Sequence, residues 1–419
     1  MLLAAATAPR PAFRNPAPRG RQTRQAERGF AAARTEAAKG ALLALCGAFA
    51  SRCRQGWQKP RITRIRRFNV NATGLPRKIL LRPQTRIAHA ERPLEVEGLQ
   101  LCSGMSELVD CYDAFTLDQY GVLSDGREAF DGAAHCIAQM KAAGKPCVIL
   151  SNYAGRAERQ MERLPSMGLE PHGLAVVTAG ELAHNYLAKQ GANGKLGSRV
   201  LWIAWSEREQ RGLGDFFEDL PGFSLASSVD SADFILVSGV ESRFAGTEAE
   251  EACAYEETGE QRVYRPLFRA AIQRMLPMVC ANPDCRVLRS DGRQSFMGGA
   301  LAEYYERLGG QVMYFGKPHS SAFEEARRLL CRAAAQDEEE ALELELDEGF
   351  RICHVGDSLQ YDVQGAMSVG FDAAFVAQTG IHSSDLQGEW ADMSKDRIRD
   401  LCISHKVPVP QAALPRFAW

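Results

Sequence analysis

Acidic residues are almost missing from the first 90 positions, where Glu27 and Glu36 stand against 16 Arg and 3 Lys, a balance of +17. The whole chain sums to -2, so the other 329 residues carry -19. This scarcity excludes an evenly charged start and marks a basic arm on an acidic body. No CxxC pair occurs among the 12 cysteines, which excludes the common zinc-ribbon and dithiol-redox spacings. Several, such as Cys147 and Cys353, sit inside apolar runs, so free buried thiols in a reducing compartment are expected. Long apolar runs are missing as well. The most apolar stretch of the arm, 40–50 (GALLALCGAFA), is too short to span a bilayer, and no other stretch qualifies. Stable membrane insertion is therefore not expected, and no internal repeat is visible.

What the arm does contain is Ala, Arg and Pro, the composition of an organellar transit peptide over residues 1–90. Mitochondrion and chloroplast both fit, with a cytoplasmic location if the arm is not a transit peptide. Residues 61–67 (RITRIRR) would also suit phosphates. The arm lacks interleaved aromatics, however, and targeting is preferred over a nucleic-acid partner.

From about residue 105, short apolar runs alternate with helical patterns. Strands are expected at 113–117 (DAFTL), 146–150 (PCVIL), 311–315 (QVMYF), 350–355 (FRICHV) and 373–377 (AAFVA), with a helix at 130–143. This βαβ beginning predicts an α/β fold, a Rossmann-like parallel sheet with helices on both faces. The middle has its own alternation, with strands at 200–204, 233–237 and 278–281 and helices at 180–189 and 267–274. The reading is a core over 105–178 and 290–405 with an α/β cap domain inserted at 179–289. An acidic run at 335–349 reads as a solvated helix extension or surface loop, and 406–419 as an extended, proline-limited tail.

Four groups follow predicted strands, at the edge where open parallel sheets bind ligands. Asp118 lies in LDQYGVL, Ser151 and Asn152 end VILSN, Lys317 lies in FGKPHS, and Asp357 and Asp362 lie in GDSLQYD. Each alone is weak: an Asp can make a turn, a Ser can cap a helix and a Lys can be solvated. Together they supply an anionic nucleophile, an all-oxygen site suited to Mg²⁺, a fixed positive charge and a hydrogen-bond donor. Phosphoryl transfer needs that set.

The order LDQYGVL, VILSN, FGKPHS, GDSLQYD resembles the four motifs of the haloacid-dehalogenase superfamily. The insert resembles the C2-type cap of its class IIA branch, which includes nitrophenylphosphatase-like enzymes and sugar phosphatases. Asn282-Pro283-Asp284 resembles that branch's cap loop near the substrate, and 296–308 its return segment. The resemblance covers residues 105–385, about two thirds of the chain. It implies that Asp118 attacks phosphorus and forms an aspartyl-phosphate, with Ser151, Asn152 and Lys317 around the phosphate. It also implies Mg²⁺ held by Asp118, the Tyr120 carbonyl and Asp357, with Asp362 completing or supporting the metal loop. The substrate expected is a small phosphorylated metabolite, and a homo-oligomer is compatible with the sequence.

One position departs from the pattern. The superfamily's phosphatases carry a second Asp two residues after the nucleophile, as the acid and base; here it is Tyr120. A phenol of pKa near ~10 is a poor base at neutral pH. Three readings stay open: a phosphatase with a good leaving group or another base such as His319, a phosphotransferase, and a metal- and phosphate-binding protein with little turnover. His319 itself reads more simply as a capping or surface residue. Trp202, Trp205, Arg243 and Phe244 are candidates to face the leaving group, although the two Trp read more readily as core.

Overall fold

The computed structural model describes residues 98–419 except 172, 194–195, 206–215, 218 and 290–291. The expected organelle leader over 1–90 lies outside the described residues. Along the chain come β1 (Gln100–Leu101), β2 (Ala114–Leu117), β3 (Cys147–Ser151) and β4 (Ala175–Thr178). Next are β5 (Arg199–Ala204), β6 (Ser224–Leu225), β7 (Phe234–Val237), β8 (Ser242–Arg243) and β9 (Glu251–Ala252). Then follow β10 (Met278–Cys280), β11 (Arg286–Leu288), β12 (Gln294–Phe296) and β13 (Val312–Tyr314). The chain closes with β14 (Ile352–Gly356), β15 (Asp372–Val376) and β16 (Ala412–Leu414).

The first sheet runs β1-β16-β15-β14-β2-β3-β4, and every pair in it is parallel. Its central strands are apolar throughout because both faces are covered. Phe115, Leu117, Ile149 and Val355 point to one face, where the helix Ala133–Ala142 buries Ala133, Cys136, Ile137 and Met140 at helical spacing. Ala114, Val148, Leu150 and Phe375 point to the other, under Phe323, Ala326 and Leu330 of the helix Ser320–Ala334. Each of the Val, Leu, Ile, Phe and Met side chains among these contributes about 1.5–3 kcal/mol by leaving water. The free thiols belong to the same packing: Cys136, Cys147, Cys353 and Cys402 are all buried, and burial pushes the Cys136 and Cys147 thiols up to about 12.

The second sheet runs β13-β10-β7-β5-β8-β9, with β6 also on β5, and β11–β12 form a separate antiparallel hairpin. Two of the boundaries read from sequence shift here. Strand 311–315 was expected in the first sheet, yet β13 pairs with β10, Val312 opposite Met278 and Tyr314 opposite Cys280. The helix Gly298–Arg307 also buries Leu301, Ala302 and Tyr305 in this second core. The cap therefore continues through Tyr314 instead of ending at 289. An apolar strand can complete either sheet, and only its burial partners decide.

The tail also differs from expectation. Ala412–Leu414 is a buried strand between β1 and β15, flanked by Pro410 and Pro415, and three residues are too few for a readable alternation. The acidic run forms the helix Glu338–Leu346, capped by Asp337 accepting from the Glu340 N–H at 2.9 Å. Arg327 donates to the carbonyls of Leu344, Glu345 and Asp347 at its far end. That agrees with a solvated helix extension. No helix among the described residues is long and apolar enough to cross a membrane.

Candidate active site

β2 lies between β14 and β3, where the strand order reverses, so the loops after all three open on one crevice. Asp118 follows β2, Ser151 ends β3, and Asp357 follows β14. Lys317 enters from the cap's last strand, just before the helix Ser320–Ala334. Lys317 is 2 % exposed, and its ammonium lies 2.5 Å from Asp118 Oδ1 and 2.6 Å from Asp362 Oδ1. Asp362 also meets His354 Nε2 at 2.9 Å and accepts from the Ser358 N–H at 2.8 Å. The other ring nitrogen of His354 shares a 2.8 Å bond with Thr116 Oγ1 of β2. Asp357 Oδ2 accepts from the Ile381 N–H at 2.7 Å.

Glycine makes this crowding possible at two positions. Gly121 has φ 87°, and a Cβ there would fall 2.5 Å from Asp357 Oδ2. A Cβ on Gly380 would fall 2.0 Å from the same oxygen.

Asp118, Asp357 and Asp362 bring ligand oxygens within 4.8 Å of one another. Burial pushes the Asp357 carboxyl well above its usual range, and the Asp118 and Asp362 charges add to it. Burial also raises Asp118, against the pull of Lys317. Asp362 goes the other way: burial opposes its charge, but Lys317 and His354 hold it well below the usual range. Lys317 stays protonated despite burial because of Asp118 and Asp362. Three buried carboxyls beside one ammonium carry an excess of negative charge and only hard oxygen donors. That chemistry fits a small divalent cation. With Asp362 already engaged, Asp118 and Asp357 are the carboxyls left to hold it.

Asn152 fixes the Lys317 backbone from both sides, accepting from its N–H at 2.7 Å and donating to its carbonyl at 3.0 Å. The same amide donates to Asp284 Oδ1 at 2.8 Å. Asn282 Oδ1 in turn accepts from the Asp284 N–H at 3.1 Å. The cap loop read from the sequence is thus tied to the second motif. Tyr361, unremarked in the sequence, adds a tie: its hydroxyl accepts from the Cys285 N–H at 2.8 Å. Ser151 Oγ accepts from the Tyr153 N–H at 3.2 Å, which leaves its proton for the cavity.

Tyr120 does not present its phenol to the carboxylates. The hydroxyl donates to the carbonyl of Leu288 in the cap hairpin. Its ring lies against Gly126, where a Cβ would come within 2.8 Å. His319 stacks on Tyr314 with ring centroids 5.1 Å apart and does not line the cavity. Trp202 donates to Ser238 Oγ at 2.7 Å within the cap core, and Arg243 pairs with Glu251. Phe244 also packs on that core, so Trp205 alone of the four leaving-group candidates lines the cavity.

Burial pushes the Asp284 carboxyl up to about 7, offset in part by the Asn152 bond and Lys317. Its folded pKa thus lies above the unfolded carboxylate value near ~3.9. The stability this group contributes is therefore full below that value and is lost as pH rises towards 7. Asp284→Asn keeps the oxygen that accepts from Asn152 and removes the titration. In metal-free protein the variant is expected to gain about 1–2 kcal/mol over wild type at pH 8 relative to pH 4. Denaturant melts at the two pH values measure this, and parallel curves would refute it.

The cavity above the carboxylates has a volume of about 720 Å³ and is lined by Asp118, Ser151, Asn152, Asp284, Lys317 and Asp357 among others. That is room for a metabolite well beyond a phosphate group. A family model described as haloacid dehalogenase-like hydrolase matches residues 115–211, and a HAD-hydrolase-like model matches 314–401. No curated protein matches the chain. Among solved structures, a haloacid dehalogenase-like hydrolase from Brucella suis 1330 is 24% identical, with TM-score 0.56 over 76% of this chain and 100% of that one. A possible sugar phosphatase of the HAD superfamily from Cytophaga hutchinsonii ATCC 33406 is 19% identical, with TM-score 0.53 over 76% and 98%. These two share its fold, core and cap together. Residues 115–211 and 314–401 are thus similar to haloacid dehalogenase-like hydrolases, and core and cap share the fold of these solved structures.

Proposed function

We propose that the protein is a magnesium-dependent phosphatase that acts on a small phosphorylated metabolite through an aspartyl-phosphate on Asp118. The observation that carries this reading is the buried Lys317 ammonium, held between Asp118 and Asp362 beside Asp357 at the floor of the cavity. Lys317 favours the charged form of Asp118 against its burial and holds one of its oxygens, so the other is presented to phosphorus. The bond from Asp118 to phosphorus forms as the bond to the leaving oxygen breaks. Ser151 donates to a phosphoryl oxygen as charge moves there. Water then cleaves the acyl phosphate and regenerates the carboxylate.

Magnesium, held by Asp118, Asp357 and the Tyr120 carbonyl, would neutralise phosphoryl charge during both steps. The cap excludes bulk water, and its ties through Asn152, Tyr120 and Tyr361 set its position over the carboxylates.

The test is phosphate release from a panel of phosphomonoesters by the purified protein, with Mg²⁺ and with chelator. Release that requires the cation is expected. A protein inert on the whole panel with Mg²⁺ present would sink the reading.

A further inference from the structure

Although residues 91–419 carry a net negative charge, four arginines line the cavity along with its carboxylates. Arg127, Arg163, Arg286 and Arg289 all line it. Arg289 is paired with the buried Glu256 at 3.4 Å. The other three have no carboxylate partner among the described residues, and the guanidinium groups of two of them lie over aromatic rings. The Arg163 guanidinium lies over the Tyr153 ring, 5.3 Å from its centroid. Arg286 lies 4.9 Å over the Phe296 ring and 3.4 Å from Gln294 Oε1. Arg127 stands on a turn fixed by Asp125 Oδ1, which accepts from the Arg127 and Glu128 N–H groups, both at 2.8 Å.

Stacking orients a guanidinium while leaving its N–H donors for an anion, and a planar fork suits a carboxylate or a phosphate. The phosphoryl group being transferred does not need them, since Lys317 and Ser151 are already placed for it. We infer that the substrate carries a second anionic group on its leaving-group side, received by Arg127, Arg163 and Arg286. This rests on the phosphatase reading and names the substrate class for the same cavity: phosphomonoesters of acids, or bisphosphates.

The substrate pairs that test it differ only in the second charge. The full-length protein with Mg²⁺ is assayed on 3-phosphoglycerate against glycerol 3-phosphate, and on fructose 1,6-bisphosphate against fructose 6-phosphate. At least one pair is expected to favour the doubly anionic member by about tenfold or more in kcat/KM, the value of one charge-assisted contact. Which pair does so tells carboxylate from phosphate. The double variant Arg127→Ala/Arg163→Ala is expected to shrink that ratio, with its thermal midpoint reporting that the fold survives. Equal rates within both pairs, or turnover of p-nitrophenyl phosphate alone, overturn the inference while the phosphatase reading stands. No turnover of any of the five compounds withdraws both. A preference that survives when Arg286→Ala is added to the double variant overturns the assignment to these arginines.

Discussion

Asp118→Asn is expected to stop phosphate release, lowering kcat by roughly 10⁴-fold or more, the scale seen when a covalent nucleophile is removed. An amide oxygen does not attack phosphorus, and nothing else at the floor of the cavity replaces it. The variant should nevertheless fold. Asn keeps an oxygen to accept from the Lys317 ammonium, and Lys317 retains Asp362 at 2.6 Å. Removing one of three buried carboxyls also relieves the like-charge crowding that pushes Asp357 upward. Without metal, then, the variant should melt no lower than wild type. Initial rates, a thermal melt and trapping of the phosphorylated protein after brief exposure to substrate check the three statements. Residual turnover within tenfold of wild type would remove Asp118 from its assigned role.

The second large effect concerns the residue two positions on. The Tyr120 hydroxyl donates a hydrogen bond to the Leu288 carbonyl in the cap hairpin, so it is committed to holding the cap. Without a base there, breakdown of the aspartyl-phosphate should be the slow half-reaction. Wild type is accordingly expected to show a burst of p-nitrophenol about equal to the enzyme concentration, then a slower steady rate. Tyr120→Asp places a carboxylate where water must be activated, and general base help is worth about 10²–10⁴-fold. The burst should vanish as the steady rate rises. Tyr120→Phe separates the two roles, because it cuts the tie to Leu288 without supplying a base. A steady rate in Tyr120→Asp no higher than in Tyr120→Phe would show that position 120 does not limit hydrolysis.

Much of this site was legible in the sequence because each element reports locally. Strands β2, β3 and β14 are apolar runs that end in polar residues, so Asp118, Ser151 and Asp357 could be placed at one sheet edge without coordinates. The tie from Asn282–Asp284 to Asn152 spans 132 residues and has no local trace, although the motif itself was visible. His354 was hidden for another reason. It sits inside β14, where strand alternation reads it as one more interior residue, and only its bonds to Thr116 and Asp362 reveal a clamp. Arg127 and Arg163 carry no local mark in the sequence, since the cavity they line is completed by residues of the cap. The misassigned strand β13 failed on the same ground: its pattern said strand, but the choice of sheet lay in contacts distant along the chain.

The parallel pairing of β1 with β16 has a consequence for how the molecule is made. Gln100 and Leu101 have their ladder partners at Ala412 and Ala413, and the Met105 N–H donates to the Ala418 carbonyl at 2.7 Å. A chain emerging from the ribosome therefore carries β1, the first strand among the described residues, without this partner until more than three hundred further residues have been added. Until then, the edge of β15 that β16 will cover is open to other strands. Both β1 and β15 gain this partner only when residues 412–414 are in place.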